Sequence, residues 1–282
     1  MKPPDSDPTA LDRLVETIRR SARYRSLCPD VVRRVAAREL ARRGSLKEAE
    51  QETRSRLHQI SGAYLSARPP YGKWLEALRA APDEVAFHAE LRRMMRPHAS
   101  TSERLEVLDG FYRRTLAPAR PVQSILDVAC GFNPLALPWM GVEEGGSYAG
   151  FDLDVDAAAF LQAAMDTSPY APRATVRVET RDVAEAPPGA KADIALVLKL
   201  LPLLDQPTPQ RMAEWLSALR ARYALVSFPT RTLGGRNVGM AASHEARFRE
   251  VLQSMRWTAE RIELPNELCF LVELRGAAGE HK

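Results

Sequence analysis

The stretch Ser124-Ile-Leu-Asp-Val-Ala-Cys-Gly-Phe-Asn-Pro134 reads as an apolar strand running into Asp127 and then into Cys130 and Gly131. Where a parallel strand stops the chain turns sharply, and a residue without a side chain lets a ligand lie against the backbone. About 20 residues on, Gly146-Ser-Tyr-Ala-Gly-Phe-Asp-Leu-Asp154 gives a second short strand ending in Asp152, where a carboxylate can bind a ribose diol. The dinucleotide fingerprint needs three glycines so that a pyrophosphate can approach a helix N-terminus. Only Gly131 is present here, so the pattern favours a nucleoside cofactor without phosphate, of which S-adenosylmethionine is the common one.

From Gln123 onward, short strands alternate with helical patterns, the texture of an α/β, doubly wound sheet. Strands are expected at 123–128, 147–152, 175–181, 192–198, 223–228, 257–263 and 267–274, with crossover helices starting near Leu135, Asp154, Pro209 and His244. Only Leu264-Pro-Asn266 separates the last two strands, too little for a parallel crossover, so they form an antiparallel hairpin. Seven strands closed by a terminal hairpin describe the Rossmann-like sheet of class I S-adenosylmethionine-dependent methyltransferases. Upstream the pattern is helical. Leu11, Leu14, Val15 and Ile18 share one helix face, Asp30 opens a second helix, and Ser45 with Glu48 reads as a capping box before a third. Two further helical segments, around Trp74 and around Leu91, end near Pro97. The expected organisation is a helical, basic domain over 1–110 and a methyltransferase domain over 111–282.

The chain of 282 residues is 45% hydrophobic, enough for one large α/β domain and a smaller partner. No apolar run is long enough to span a membrane, and Met-Lys-Pro-Pro-Asp-Ser-Asp opens the chain without an apolar signal core, so a cytoplasmic protein with no membrane partner is expected. Three scattered cysteines and five scattered histidines indicate neither a disulfide framework nor a metal site. The net charge of +4 is unevenly placed: residues 13–56 carry 13 Lys/Arg against 6 Asp/Glu. Arg19, Arg20, Arg33, Arg34, Arg42 and Arg43 are candidates for a polyanion-binding surface, the alternative being a solvated helix face.

Asp127, Asp152 and Asp182 follow successive strands, so three carboxylates converge at one edge of the sheet, with Asp152 suited to ribose and Asp182 to an adenine amine. In His98-Ala-Ser-Thr-Ser-Glu-Arg-Leu105, Ser100 or Thr101 can cap a helix, and Arg104 can fork onto a carboxylate. Cys130 reads as a packed apolar residue, since nothing near it in sequence would activate a thiolate. Lys199 stands where a substrate would enter.

The run Ile125 to Met140 resembles the signature of the aminoglycoside-resistance 16S rRNA (guanine(1405)-N(7))-methyltransferases. His98 to Leu105, Leu198-Lys-Leu-Leu-Pro202, Ser227 to Met240 and Asn266-Glu-Leu268 agree with the same family. The resemblance implies cofactor contacts at Tyr64, His98, Ser100, Arg104, Ala129, Asp152, Asp182, Val183 and Leu198, beside Gly131 from the strand turn. A family glutamine aligns with Pro207, leaving the adjacent Gln206 as its candidate substitute. It further implies that the basic N-terminal region docks on the 30S ribosomal subunit, at the decoding region of its 16S rRNA. Lys199, Arg231, Arg236 and Glu267 are then the candidates to grip the target guanine and its flanking phosphates, with no general base expected. Three alternatives stand against this: a related enzyme acting on N1 of an adenine, a non-catalytic rRNA-binding factor with a cofactor-shaped fold, and a small-molecule methyltransferase, which would have no need for the Arg-rich N-terminal region.

Overall fold

The computed structural model describes residues 9–43, 45–62, 68–167, 174–204, 207–230, 240–265 and 267–274. Three helices open it: α1 (Ala10–Arg19), α2 (Pro29–Arg42) and α3 (Leu46–Leu57). Thr9 caps α1 by accepting the Asp12 N–H while Asp12 accepts the Thr9 N–H, both at 3.2 Å, and Ser45 caps α3 by accepting the Glu48 N–H. Leu14, Ile18, Val31, Val32, Val35 and Leu57 are buried together in a small core of their own. Each such side chain contributes about 1.5–3 kcal/mol on full burial.

The next helices, α4 (Tyr71–Arg79), α5 (Glu84–Met95), α6 (Ala99–Ser102) and α7 (Leu108–Thr115), are built differently. Trp74, Phe87, Leu91, Phe111 and Tyr112 pack into the core that also holds Ile125, Phe132 and Phe160 of the sheet region. Helices α4, α5 and α7 thus share a core with the sheet while α1 to α3 keep their own, because helical periodicity records a buried face without recording what buries it. At His98 the expected cap is displaced. His98 itself is the N-cap residue of α6, and Thr101 donates its hydroxyl to the Met95 carbonyl at 3.0 Å.

The sheet contains β1 (Val122–Val128), β2 (Val142–Asp152), β3 (Thr175–Thr180), β4 (Lys191–Leu198), β5 (Arg220–Pro229), β6 (Thr258–Leu264) and β7 (Glu267–Glu273), in the order β3-β2-β1-β4-β5-β7-β6. The crossover elements include α8 (Leu137–Met140), α9 (Val155–Asp166), α10 (Pro209–Ser217) and α11 (Met240–Met255). Strands β1 to β5 are parallel, and β7 is antiparallel to both β5 and β6, as the short Leu264–Glu267 connection requires. Strand β2 starts five residues before the expected position. Its register against β1 slips between Val122 and Ser124, and Gly146 sits so close to the Gln123 carbonyl that a Cβ would come within 2.5 Å. The Glu143-Glu-Gly-Gly146 segment, which precedes the expected strand, is thus an irregular beginning of β2.

Strand order reverses between β1 and β4, and a sheet of this kind binds ligands outside the carboxyl ends of its strands at that switch point. The reversed polarity of β7 adds one residue to this edge: Glu267, its first residue, pairs with Pro229, the last of β5. Among the described residues no helix is long and apolar enough to cross a membrane.

Candidate functional site

A cleft lies at the switch point. The ends of β1 to β4 supply Ala129, Gly131, Asp152, Asp182, Val183 and Leu198 to its wall, and the segment around α6 supplies His98, Ser100 and Arg104. Two neighbouring turns use left-handed backbone, with Ala129 at φ 58° and Gly131 at φ 50°. At Gly131 the absence of a side chain is required twice over, since a Cβ there would stand 2.6 Å from Cε1 of His98. The imidazole is stacked on Phe132 at a 5.0 Å centroid separation. Burial, reinforced by the charges of Arg104 and Lys199, pushes His98 down to about 3, so it is neutral near pH 7.

Asp152 is held by backbone. It accepts the N–H groups of Gly131 at 2.8 Å, Leu153 at 2.7 Å and Asp154 at 3.1 Å. Burial raises its carboxyl above the ordinary range while those three donors pull the other way. Below it, Asp127 accepts the Tyr148 hydroxyl and the Asn133 amide, each at 2.5 Å, and Tyr112 donates to Asn133 in turn. Burial pushes Asp127 up to about 6 against these hydrogen bonds. Asp127 is therefore the floor on which the strand ends are fixed. The Cys130 thiol, also buried, is pushed well up by desolvation, which leaves it an unreactive apolar side chain.

Arg104 is 4% exposed and forks onto Glu267 through Nε and Nη2, both at 2.7 Å. Ser227 donates to the same carboxylate. Burial alone would raise the Glu267 carboxyl, but the Arg104 guanidinium outweighs it and holds the group below its ordinary value. Expected as a residue that grips the base, Glu267 instead stands behind the cleft wall with both oxygens engaged. The guanidinium keeps further N–H donors, because a fork onto one carboxylate uses two of five. Lys199 is on the wall, at φ 57°, with its ammonium paired to Glu103 and its backbone N–H donated to the Ser227 carbonyl at 3.1 Å.

The arginine-rich bundle divides. Arg19, Arg20, Arg33, Arg42 and Arg43 are exposed, three of them in ion pairs: Arg20 with Glu16, Arg33 with Asp12, and Arg43 with Glu39 and Glu52. Arg34 departs from the expected outer surface. It turns into the cleft and pairs with Asp182 at 2.6 Å, since Val31 and Val35 on either side of it along α2 fix that face inward. Sequence reading also passed over Leu27, Val35, Arg56 and Ile60, which wall the cleft from the bundle side. Nothing local marks them, because their place depends on where the bundle seats. Tyr64, Gln206, Arg231 and Arg236 lie outside the described residues. Among the described residues no group of three or more His, Cys, Asp or Glu is placed to hold a metal ion.

The family described as ribosomal RNA methyltransferase (FmrO) matches residues 20–271 of this chain. A protein of Frankia casuarinae named 16S rRNA (guanine(1405)-N(7))-methyltransferase is 41% identical over 278 residues, covering 96% of each chain. A protein of the same name from Micromonospora echinospora is 34% identical, covering 93% of this chain and 96% of its own. The crystal structure of the 16S rRNA methyltransferase RmtF in complex with S-adenosyl-L-homocysteine superposes with a TM-score of 0.78 at 33% identity, over 95% of this chain and 99% of that one. A match of this length, with full-length relatives sharing one name, shows that the chain belongs to the ribosomal RNA methyltransferase family.

Proposed function

We propose that the protein methylates N7 of guanine 1405 in the 16S rRNA of the 30S subunit, with S-adenosylmethionine as methyl donor. The observation that carries this reading is the cleft at the β1/β4 switch point, where a glycine cradle adjoins a backbone-held carboxylate and, among the described residues, no phosphate-binding glycine loop is built. These residues fit a nucleoside with an amino-acid tail. Asp152 would hold the ribose, Asp182 with Val183 the adenine, and the remaining donors of Arg104 the carboxylate of the tail. When bound, S-adenosylmethionine supplies an electrophilic methyl group on a sulfonium.

Guanine N7 has an in-plane lone pair and no proton to lose, so the protein's part is to position. Aligning the reactants contributes about 7–11 kcal/mol of barrier lowering, whereas a positioned acid or base typically gives about 10²–10⁴-fold. A neutral His98 stacked under the cradle and a Cys130 thiol pushed up by burial agree with chemistry that needs neither base nor nucleophile from the protein. In A-form RNA the N7 edge faces a deep groove that side chains cannot enter, so the target nucleotide has to leave its helix to reach the cleft. Lys199, Arg231 and Arg236 are proposed to hold it there, while Glu267 acts from behind by fixing Arg104. The exposed arginines Arg19, Arg20, Arg33, Arg42 and Arg43 are proposed to meet rRNA phosphates near the decoding region, which sets the enzyme in the cytoplasm with the ribosomes.

The test is transfer of labelled methyl groups to 30S subunits, followed by chemical cleavage at N7-methylguanine and primer extension. A single new stop at guanine 1405 is expected, with naked 16S rRNA a poor substrate. Expression in a susceptible bacterium should protect against kanamycin and gentamicin and leave apramycin active. Modification at an adenine N1, with resistance to apramycin, would overturn the assignment.

A further inference from the structure

Arg34 belongs to the N-terminal bundle, yet it reaches a carboxylate at the end of β3. Its Nε donates to Asp182 Oδ2 at 2.6 Å and its Nη2 to Oδ1 at 3.2 Å. The two side chains are 14% and 10% exposed, so the pair is far less open to salt and solvent than the surface pairs of the bundle. Asp182 also accepts the Ala184 N–H at 3.1 Å. A carboxylate offers about four lone-pair sites, and these three hydrogen bonds leave it an acceptor site while removing its freedom to rotate. The bundle is stitched to the sheet close by. Cys28 donates its N–H to the Leu153 carbonyl at 2.7 Å, Val155 donates to the Ser26 carbonyl at 2.8 Å, and Ser26 Oγ donates to Asp154 at 2.9 Å. That seam runs beside Asp152, the other carboxylate of the nucleoside site.

We infer that Arg34 is a cofactor-positioning residue that acts through Asp182, fixing the carboxylate so that its remaining lone pair accepts the exocyclic amine of an adenine. The N-terminal bundle then completes the nucleoside site, in addition to any part it plays in meeting RNA. This rests on the cofactor reading above and adds to it a residue from a separate core. Specificity follows from the chemistry: a carboxylate held by a guanidinium fork discriminates for a purine that carries an amine donor over one that does not.

Calorimetry with S-adenosylhomocysteine and with its 6-deamino (purine) analogue tests this on the full chain. The unsubstituted protein should prefer the adenine compound about tenfold, the scale of one hydrogen bond to a charged group. Arg34→Ala should weaken S-adenosylhomocysteine and leave the deamino analogue nearly unchanged, so that the preference falls to about twofold or less. Arg34→Lys, which keeps the charge and removes the fork, should fall between. Both ligands are measured on one protein, so any loss of stability acts on both and cancels in the ratio. In an Asp182→Asn background Arg34→Ala should add no further loss of preference. Equal weakening of both ligands by Arg34→Ala, an undiminished preference, or no preference in the unsubstituted protein would each overturn the role. Absence of S-adenosylhomocysteine binding to the unsubstituted chain would overturn the cofactor reading itself.

Discussion

Replacing Gly131 by alanine perturbs the site in two separable ways. The residue sits at φ 50°, so any side chain carries the left-handed backbone cost of about 1–2 kcal/mol. Its new Cβ would also stand 2.6 Å from Cε1 and 2.8 Å from Nε2 of His98. That ring cannot swing away cheaply, because it is buried, stacked on Phe132 and 3.3 Å from the Thr101 hydroxyl. Overpacking of a fixed core group costs about 1–3 kcal/mol, which brings the expected destabilisation to roughly 2–5 kcal/mol. The strain also reaches the ligand site, since the Gly131 N–H is one of the three donors to Asp152. Gly145 provides the control: at φ 76° it has nothing within 4 Å of its ideal Cβ, so Gly145→Ala should carry the backbone cost alone. Urea denaturation of the two variants measures the difference, and calorimetry with S-adenosylhomocysteine should show weakened binding only for Gly131→Ala. Equal losses of stability in the two variants would refute the packing argument, and unchanged affinity in Gly131→Ala would refute the link to Asp152.

Arg104→Ala should destabilise the fold as well as weaken cofactor binding, because it strands the buried Glu267 carboxylate. A loss of about 3–5 kcal/mol in urea denaturation is expected, and a loss below about 1 kcal/mol would mean that water or another cation takes the arginine's place. Charge reversal of Arg19 and Arg42, both exposed, should reduce 30S affinity and flatten its log–log salt dependence by about 0.9 for each phosphate no longer neutralised, if duplex RNA behaves as duplex DNA. S-adenosylhomocysteine affinity should not change; an unaltered salt slope would make these arginines a merely solvated face. Asp127 has a folded-state value raised from 3.8 to about 6, so its protonated form is the one the fold favours. Its contribution to stability is fully present below about pH 4 and is lost as pH rises to about 6. Asp127→Asn should remove that downward slope from the stability profile, and an identical profile in the variant would contradict the assignment.

The sheet was legible because its strands are short apolar runs with turn residues between them, and because three residues between the last two strands allow only a hairpin. The cleft was legible for the related reason that parallel strands end in it: Gly131, Asp152, Asp182 and Leu198 each stand at or just past a strand end. What periodicity could not supply is the identity of the neighbour. It gave the faces of α4 and α5 without showing that the sheet buries them, and charge alone ranked Arg34 with Arg33 although consecutive helical residues point about 100° apart. Some surface ion pairs could have been read directly, as with Glu16 and Arg20 four residues apart on one helix. The pairing of Arg33 with Asp12, and of Arg104 with Glu267, depends on the assembled fold and has no local signal.

The polarity of β7 also bears on when this protein can become active. Arg104 meets its counter-charge in Glu267, a residue made 163 positions later on the strand that inserts between β5 and β6. Synthesis runs from the N-terminus, so the bundle, the glycine cradle and Asp152 all emerge before the group that neutralises the innermost cation of the site. Until the last strand is threaded, the wall of the cleft carries an uncompensated guanidinium and cannot settle into its final packing. Assembly of the site is therefore a late event in the life of the nascent chain. An enzyme proposed to act on small ribosomal subunits is in this way kept incomplete until Glu267 has been made and seated.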